Sequence, residues 1–193
     1  MVSEEFTPPD FAMLRAVEVL AKLAQRQQRE DDAPGPPLDK PVVLFNETIA
    51  LAVGHTTRAQ VEGALGIAFA YPSGGWHTYC VLGPESTHEF LTLFYSSGTL
   101  AAAELYLPTS DRAPKLAPRN LGRFRFVPAE ITLGMQIANL PQPYRRVASL
   151  SQRGAYAEIL EARFPGGAAY AMGNAGIIER LALYVLQDKP KNV

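Results

Sequence analysis

Three histidines, His55, His77 and His88, and one cysteine, Cys80, are the chain's whole supply of imidazole and thiol. Any metal site or proton relay has to be built from them and from carboxylates. If the loop at residues 83–87 joins two antiparallel strands, His77 stands opposite Phe94 and His88 stands near Gly83. Most of a strand then separates the two histidines, too far for both to bond one metal at ~2 Å. Neither a metal centre nor histidine acid–base catalysis is expected. Cys80 lies between Tyr79 and Val81 with no basic neighbour, the setting of a buried inert thiol rather than a nucleophile. A single cysteine also excludes an intramolecular disulfide and any multi-cysteine zinc site. Ser73-Gly74-Gly75 and Pro165-Gly166-Gly167 are short and lead into strands, so they read as hairpin turns rather than phosphate cradles at a helix start. With no Gly-x-Ser-x-Gly elbow and no His-Glu-x-x-His pair, no catalytic residues and no cofactor are expected.

Binding is the chemistry that strand parity suggests. Carrying the same register through a turn at Ser96-Ser97 places Thr78, Cys80, Leu82, Leu91, Leu93, Ala101, Ala103 and Leu105 on one face, expected to pack on a helix. The opposite face collects His77, Tyr79, His88, Phe90, Thr92, Phe94, Glu104 and Tyr106, and a second unit adds Tyr170, Arg180 and Tyr184. Aromatics mixed with His, Arg and Glu have the composition of a protein-binding patch. His77, Tyr79, His88, Phe90, Phe94, Glu104, Tyr106, Tyr170, Arg180 and Tyr184 are therefore the candidate partner-binding residues.

The elements that must position them come in a repeated order. Asp10 precedes Met13, Val17, Leu20 and Ala24 at helical spacing, predicting an amphipathic N-terminal helix that Pro34-Gly35-Pro36-Pro37 cuts off from the rest. It is expected either to cover part of the core or to bind a partner. From Leu44 onward the first unit reads as a strand through Ile49, Leu51 and Val53, a helix from Thr57, and strands at 76–82, 88–95 and 99–107. Thr57 and Gln60 form a capping-box pair, Val61, Ala64 and Leu65 a buried stripe, and Gly66 a stop. The second unit offers Ile131 and Leu133, a shorter helix within 136–150 delayed by Pro141 and Pro143, and strands at 156–164, 168–172 and 177–186. Gly98-Thr-Leu with Tyr106 matches Gly176-Ile-Ile with Tyr184, and Gly54 matches Gly134, at nearly one offset.

The run Gly54, Thr57, Val61, Leu65-Gly66, with Gly134, Gln136, Leu140 and Tyr144 in the second unit, resembles the repeat of the beta-lactamase inhibitory protein and of the small outer-membrane assembly lipoproteins. That resemblance implies a helical segment on one face of an antiparallel sheet, and two units whose joined concave sheet grips a protein partner. The expected fold class is thus α+β: a tandem repeat of a helix packed on a three- to four-stranded antiparallel sheet, preceded by the N-terminal helix. The expected organisation is an N-terminal helix and Pro-rich linker over 1–43, repeats over 44–108 and 129–193, and a basic linker over 109–128.

That linker carries Arg112, Lys115, Arg119, Arg123 and Arg125 against Asp111, but no repeating aromatic platform for bases. With 18 Lys and Arg against 19 Asp and Glu, the net charge is -1, so no global pull toward nucleic acid or anionic membrane is expected. Apolar residues make up 47% and charged residues 19%, enough to bury a core. The longest apolar stretch, 11–24, is broken by Arg15, Glu18 and Lys22, and the N-terminus lacks a signal-peptide pattern, so a cytoplasmic protein is expected. Two functions remain open: a non-catalytic module binding a protein partner or a second copy of itself, and a small-molecule or lipid-binding protein or enzyme with a pocket between the N-terminal helix and the sheet.

Overall fold

The Thr57 hydroxyl accepts the Gln60 amide at 3.3 Å while the Gln60 side-chain oxygen accepts the Thr57 amide at 2.8 Å, closing a capping box that starts α1 (Arg58–Val61). The helix continues as a π-helical turn, Glu62–Gly66, and ends on Gly66 at φ +79°. Its buried residues are Val61 and Leu65, as the apolar spacing requires. This computed structural model describes residues 37–67, 70–73, 76–83, 87–107, 118–142, 144–148 and 158–185. The expected N-terminal helix lies outside them.

Strands dominate what remains. A three-stranded antiparallel sheet joins β1 (Val43–Phe45), β2 (Ala50–Leu51) and β7 (Arg125–Val127) in the order β2-β1-β7. An eight-stranded antiparallel sheet takes β3 (Tyr71–Ser73), β4 (Trp76–Leu82), β5 (His88–Ser96), β6 (Thr99–Tyr106), β8 (Arg145–Ala148), β9 (Glu158–Phe164), β10 (Gly167–Asn174) and β11 (Ile177–Val185). Its order is β3-β4-β5-β6-β11-β10-β9-β8, so β6 and β11, the last strand among the described residues, meet at the centre. Ser97-Gly98 and Ala175-Gly176 all have φ near +50° to +79°, the conformation of tight two-residue hairpin turns whose twist matches that of the strands.

The α+β expectation, a helix on a sheet twice over, is overturned. Among the described residues the fold is mostly β, with one helical segment in the first half and only a 3₁₀ turn, Ile137–Asn139, at the corresponding place in the second. Two local causes account for this. Gln136 makes no side-chain cap where Thr57 makes two bonds. Leu140 precedes Pro141, whose ring pushes it out of the helical region, and its ψ of 132° is extended. Arg145–Ala148, inside the expected second helix, is a strand.

Hydrogen bonds nevertheless correspond between the halves. The Gly54 amide donates to Leu100 at 2.7 Å and the Gly134 amide to Ile178 at 2.8 Å; Arg58 donates to Gly98 at 2.9 Å and Ile137 to Gly176 at 2.7 Å. The main core lies between the two sheets and the helix. Leu44, Leu51, Val61, Leu65 and Phe126 pack there with Leu91, Leu93, Leu105, Leu181 and Leu183 of the large sheet.

Candidate functional site

Register decides which side chains share a face. His77 pairs with Leu93 and Tyr79 with Leu91, whereas a loop centred one half-residue later would pair His77 with Phe94. This one-residue slip inverts β4, because side chains alternate with period two. His77 and Tyr79, predicted on the partner-binding face, stand instead on the core face, in the rungs Tyr79-Leu91-Leu105-Leu181-Ala171 and His77-Leu93-Ala103-Leu183-Ala169. Thr78 and Cys80, predicted to face a helix, take their places on the second face. Between β5 and β6 Phe90 pairs with Tyr106, which differs from the expected register by an even number of residues, and there the parity holds.

Three rungs make up the second face. Cys80, Phe90, Tyr106, Arg180, Met172 and Ile159 form one; Thr78, Thr92, Glu104, Ala182, Tyr170 and Glu161 the next; Trp76, Phe94, Ala102, Tyr184, Ala168 and Arg163 the third. Seven of the ten predicted residues, Phe90, Phe94, Glu104, Tyr106, Tyr170, Arg180 and Tyr184, therefore come together. His88 opens β5 at an exposed position, paired with Leu82. Trp76 was missed by sequence reasoning; it shares the parity of Thr78 and Cys80 and was lost with them in the inverted strand.

At the centre, where the halves join, sits an ion pair. Glu104 is fully buried, and Arg180 is 8% exposed. Arg180 Nη1 donates to Glu104 Oε2 at 3.0 Å, and the Tyr184 hydroxyl donates to Glu104 Oε1. Arg180 also lies over the Tyr106 ring, 4.7 Å from its centroid, and Tyr106 stacks on Phe90 at 5.8 Å. On the other side Tyr184 meets Tyr170 edge-on at 5.7 Å. One continuous chain of contacts thus runs Phe90, Tyr106, Arg180, Glu104, Tyr184, Tyr170 across the join. Both Glu104 oxygens are engaged, one by the Arg180 guanidinium and one by the Tyr184 hydroxyl. Burial, then the neighbouring Glu104, holds the Tyr184 phenol well above its ordinary range, and burial does the same at Tyr170 beside Glu161; both stay protonated donors. Flanking the network, Thr78 and Thr92 share a hydroxyl contact at 3.1 Å and Trp76 lies 5.0 Å from Phe94.

The other predicted chemistry disperses. His55 is exposed beside Gly54, His77 is in the core and His88 is at a strand start. No group of three His, Cys, Asp or Glu that could hold a metal occurs among the described residues. Cys80 is a buried free thiol whose pKa burial raises. Three cations of the basic linker fasten it to the body: Arg119 donates to the Leu65 carbonyl at the end of the helix, Arg123 to that of Leu133 at 2.6 Å, and Arg125 pairs with Glu130 at 2.5 Å. Arg112 and Lys115 lie outside the described residues.

A separate open groove of about 350 Å³ lies beside the 3₁₀ turn, lined by Gln136, Ile137, Ala138, Arg146, Glu158, Ala175, Gly176 and Ile177. An Arg146–Glu158 ion pair forms part of its wall. It occupies the end of the second half that corresponds to the helix-covered end of the first. No helix among the described residues is long and apolar enough to cross a membrane. No protein-family model, curated protein or solved structure matches this chain.

Proposed function

We propose that the protein is a cytoplasmic, non-catalytic binding module whose second sheet face holds a segment of a protein partner. The observation that carries this reading is the aromatic and charged chain from Phe90 to Tyr170, built from both halves and centred on a carboxylate already satisfied by Arg180 and Tyr184. Phe94, Tyr106 and Tyr184 are partly exposed aromatics of this face and supply contact area, while Phe90, Tyr170 and the Arg180–Glu104 pair are buried behind them and hold them rigid. A free buried thiol suits a reducing compartment.

Affinity capture from the source lysate with the native chain, and with Phe90→Ala and Tyr106→Ala, tests it. A partner retained by the native protein and released by both folded variants supports the reading. Equal retention by all three overturns it. Thermal stabilisation by metabolites, with no protein captured, would favour the small-molecule or lipid pocket instead.

A further inference from the structure

Three side chains of the core face keep buried polar atoms that no other group of the protein meets: His77 Nδ1, the Tyr79 hydroxyl and the Tyr95 hydroxyl. His77 is 7% exposed and Tyr79 1%. They are neighbours. His77 and Tyr79 stand two residues apart on β4, opposite Leu93 and Leu91, and Tyr95 follows Leu93 by two on β5. The His77 and Tyr95 rings meet edge-on at 5.5 Å. Folded proteins satisfy nearly all buried polar groups, so three orphans in one place point to a shared partner.

The helix α1 and the π-helical turn after it lie over this cluster. Arg58 and Glu62 are charged neighbours of all three groups, and they neutralise one another as an ion pair. Val61 and Leu65, from the same helical segment, share an apolar core with Leu91, Leu93 and both tyrosines. Turns of π-helix recur at functional sites, and this one begins at Glu62.

Chemistry selects the partner. Burial pushes both phenols up and His77 down, so all three groups are neutral at neutral pH. The phenols donate, and an imidazole nitrogen accepts when the proton sits on the other one. A hydroxyl oxygen accepts two hydrogen bonds and donates one, which complements that set.

We propose that His77 Nδ1 and the hydroxyls of Tyr79 and Tyr95 form a binding site for the hydroxyl group of a small neutral alcohol, beneath the apolar residues of α1. The site belongs to the core face and is independent of the second face and its protein partner.

Isopropanol, added to the isotope-labelled full chain and followed by NMR, should give saturable shifts at the His77, Tyr79 and Tyr95 side chains. Acetone accepts hydrogen bonds but donates none, and should bind about tenfold more weakly. Tyr79→Phe combined with Tyr95→Phe keeps both rings and should weaken isopropanol binding by about tenfold or more. Shifts that rise without saturating, equal binding of acetone, or an undiminished affinity in the double variant overturns the proposal. Should the double variant not fold, Tyr79→Phe alone provides the comparison. A crystal structure grown with isopropanol decides between alcohol and water: an alcohol oxygen bonded to the three groups supports the site, and a water held there in its place overturns it.

Discussion

Arg180 Nη1 reaches Glu104 Oε2 at 3.0 Å across the β6–β11 seam, joining residues from the two halves of the chain where neither is open to water. Removing one partner strands the other charge in a poorly solvating interior, whereas removing both leaves an apolar gap. Arg180→Met alone should cost about 3–5 kcal/mol. Glu104→Gln combined with Arg180→Met should cost clearly less than Arg180→Met. Denaturant midpoints at neutral pH, with unchanged m, provide the comparison, and a double variant as unstable as the single one would refute the coupling.

Tyr79 is 1% exposed on the core face, and its hydroxyl has no hydrogen-bond partner. A buried hydroxyl without a partner is a desolvation cost that phenylalanine avoids. Tyr79→Phe should therefore leave stability unchanged or raise it by up to about 1 kcal/mol, while Tyr79→Ala should lose about 3–5 kcal/mol by opening a cavity. Tyr95, whose hydroxyl is likewise buried without a partner, should follow the same ranking. Thermal and urea unfolding of the four variants would reveal it.

Burial, reinforced by Arg58, lowers the pKa of His77 below its ordinary 6.5. The unfolded chain then takes up a proton near pH 6.5 that the folded chain still refuses, so stability falls as pH drops below that value. His77→Phe keeps a ring against Tyr95, 5.5 Å away, and gives up no hydrogen bond from Nδ1. Between about pH 7.5 and pH 5.5 the native protein should lose more stability than the variant. His55 and His88 are common to both proteins and drop out of the difference. Parallel losses would show that His77 does not carry the slope.

At the β10 bulge, a Cβ on Gly173 would lie 1.9 Å from the Ile177 carbonyl oxygen, a backbone atom with nowhere to go. Gly63, within the π-helical turn, has nothing within 4 Å of the same position. Gly173→Ala should be among the most damaging single changes, more than about 3 kcal/mol. Gly63→Ala should stabilise by about 0.5–1 kcal/mol. Calorimetry of the two alanine variants separates them.

Local chemistry was readable where the decisive partners are near in sequence. Thr57 and Gln60 cap the helix because they lie one turn apart, and Gly66 ends it. The second half misled because Pro141 acts backward on Leu140, turning an apparent helix start into an extended chain. The face assignment failed in β4 alone: a hairpin register depends on where its loop is centred, and an error of one residue exchanges the two faces. From β5 onward the error was even, which is why Phe90, Glu104 and Tyr106 share a side with Arg180 and Tyr184. The Arg180–Glu104 pair was not legible as a pair, because no local signal fixes which residues meet across strands so distant in sequence.

Because β11 lies beside β6 in the middle of the sheet rather than at its rim, a chain in which β11 has not yet docked has no finished centre. Until β11 arrives, β6 is an open edge whose backbone donors and acceptors can recruit any extended segment nearby. Closing that seam brings together residues far apart along the chain, an entropically slow step. Chains in which the two halves of this sheet have formed but not yet joined are therefore the species most exposed to misassembly.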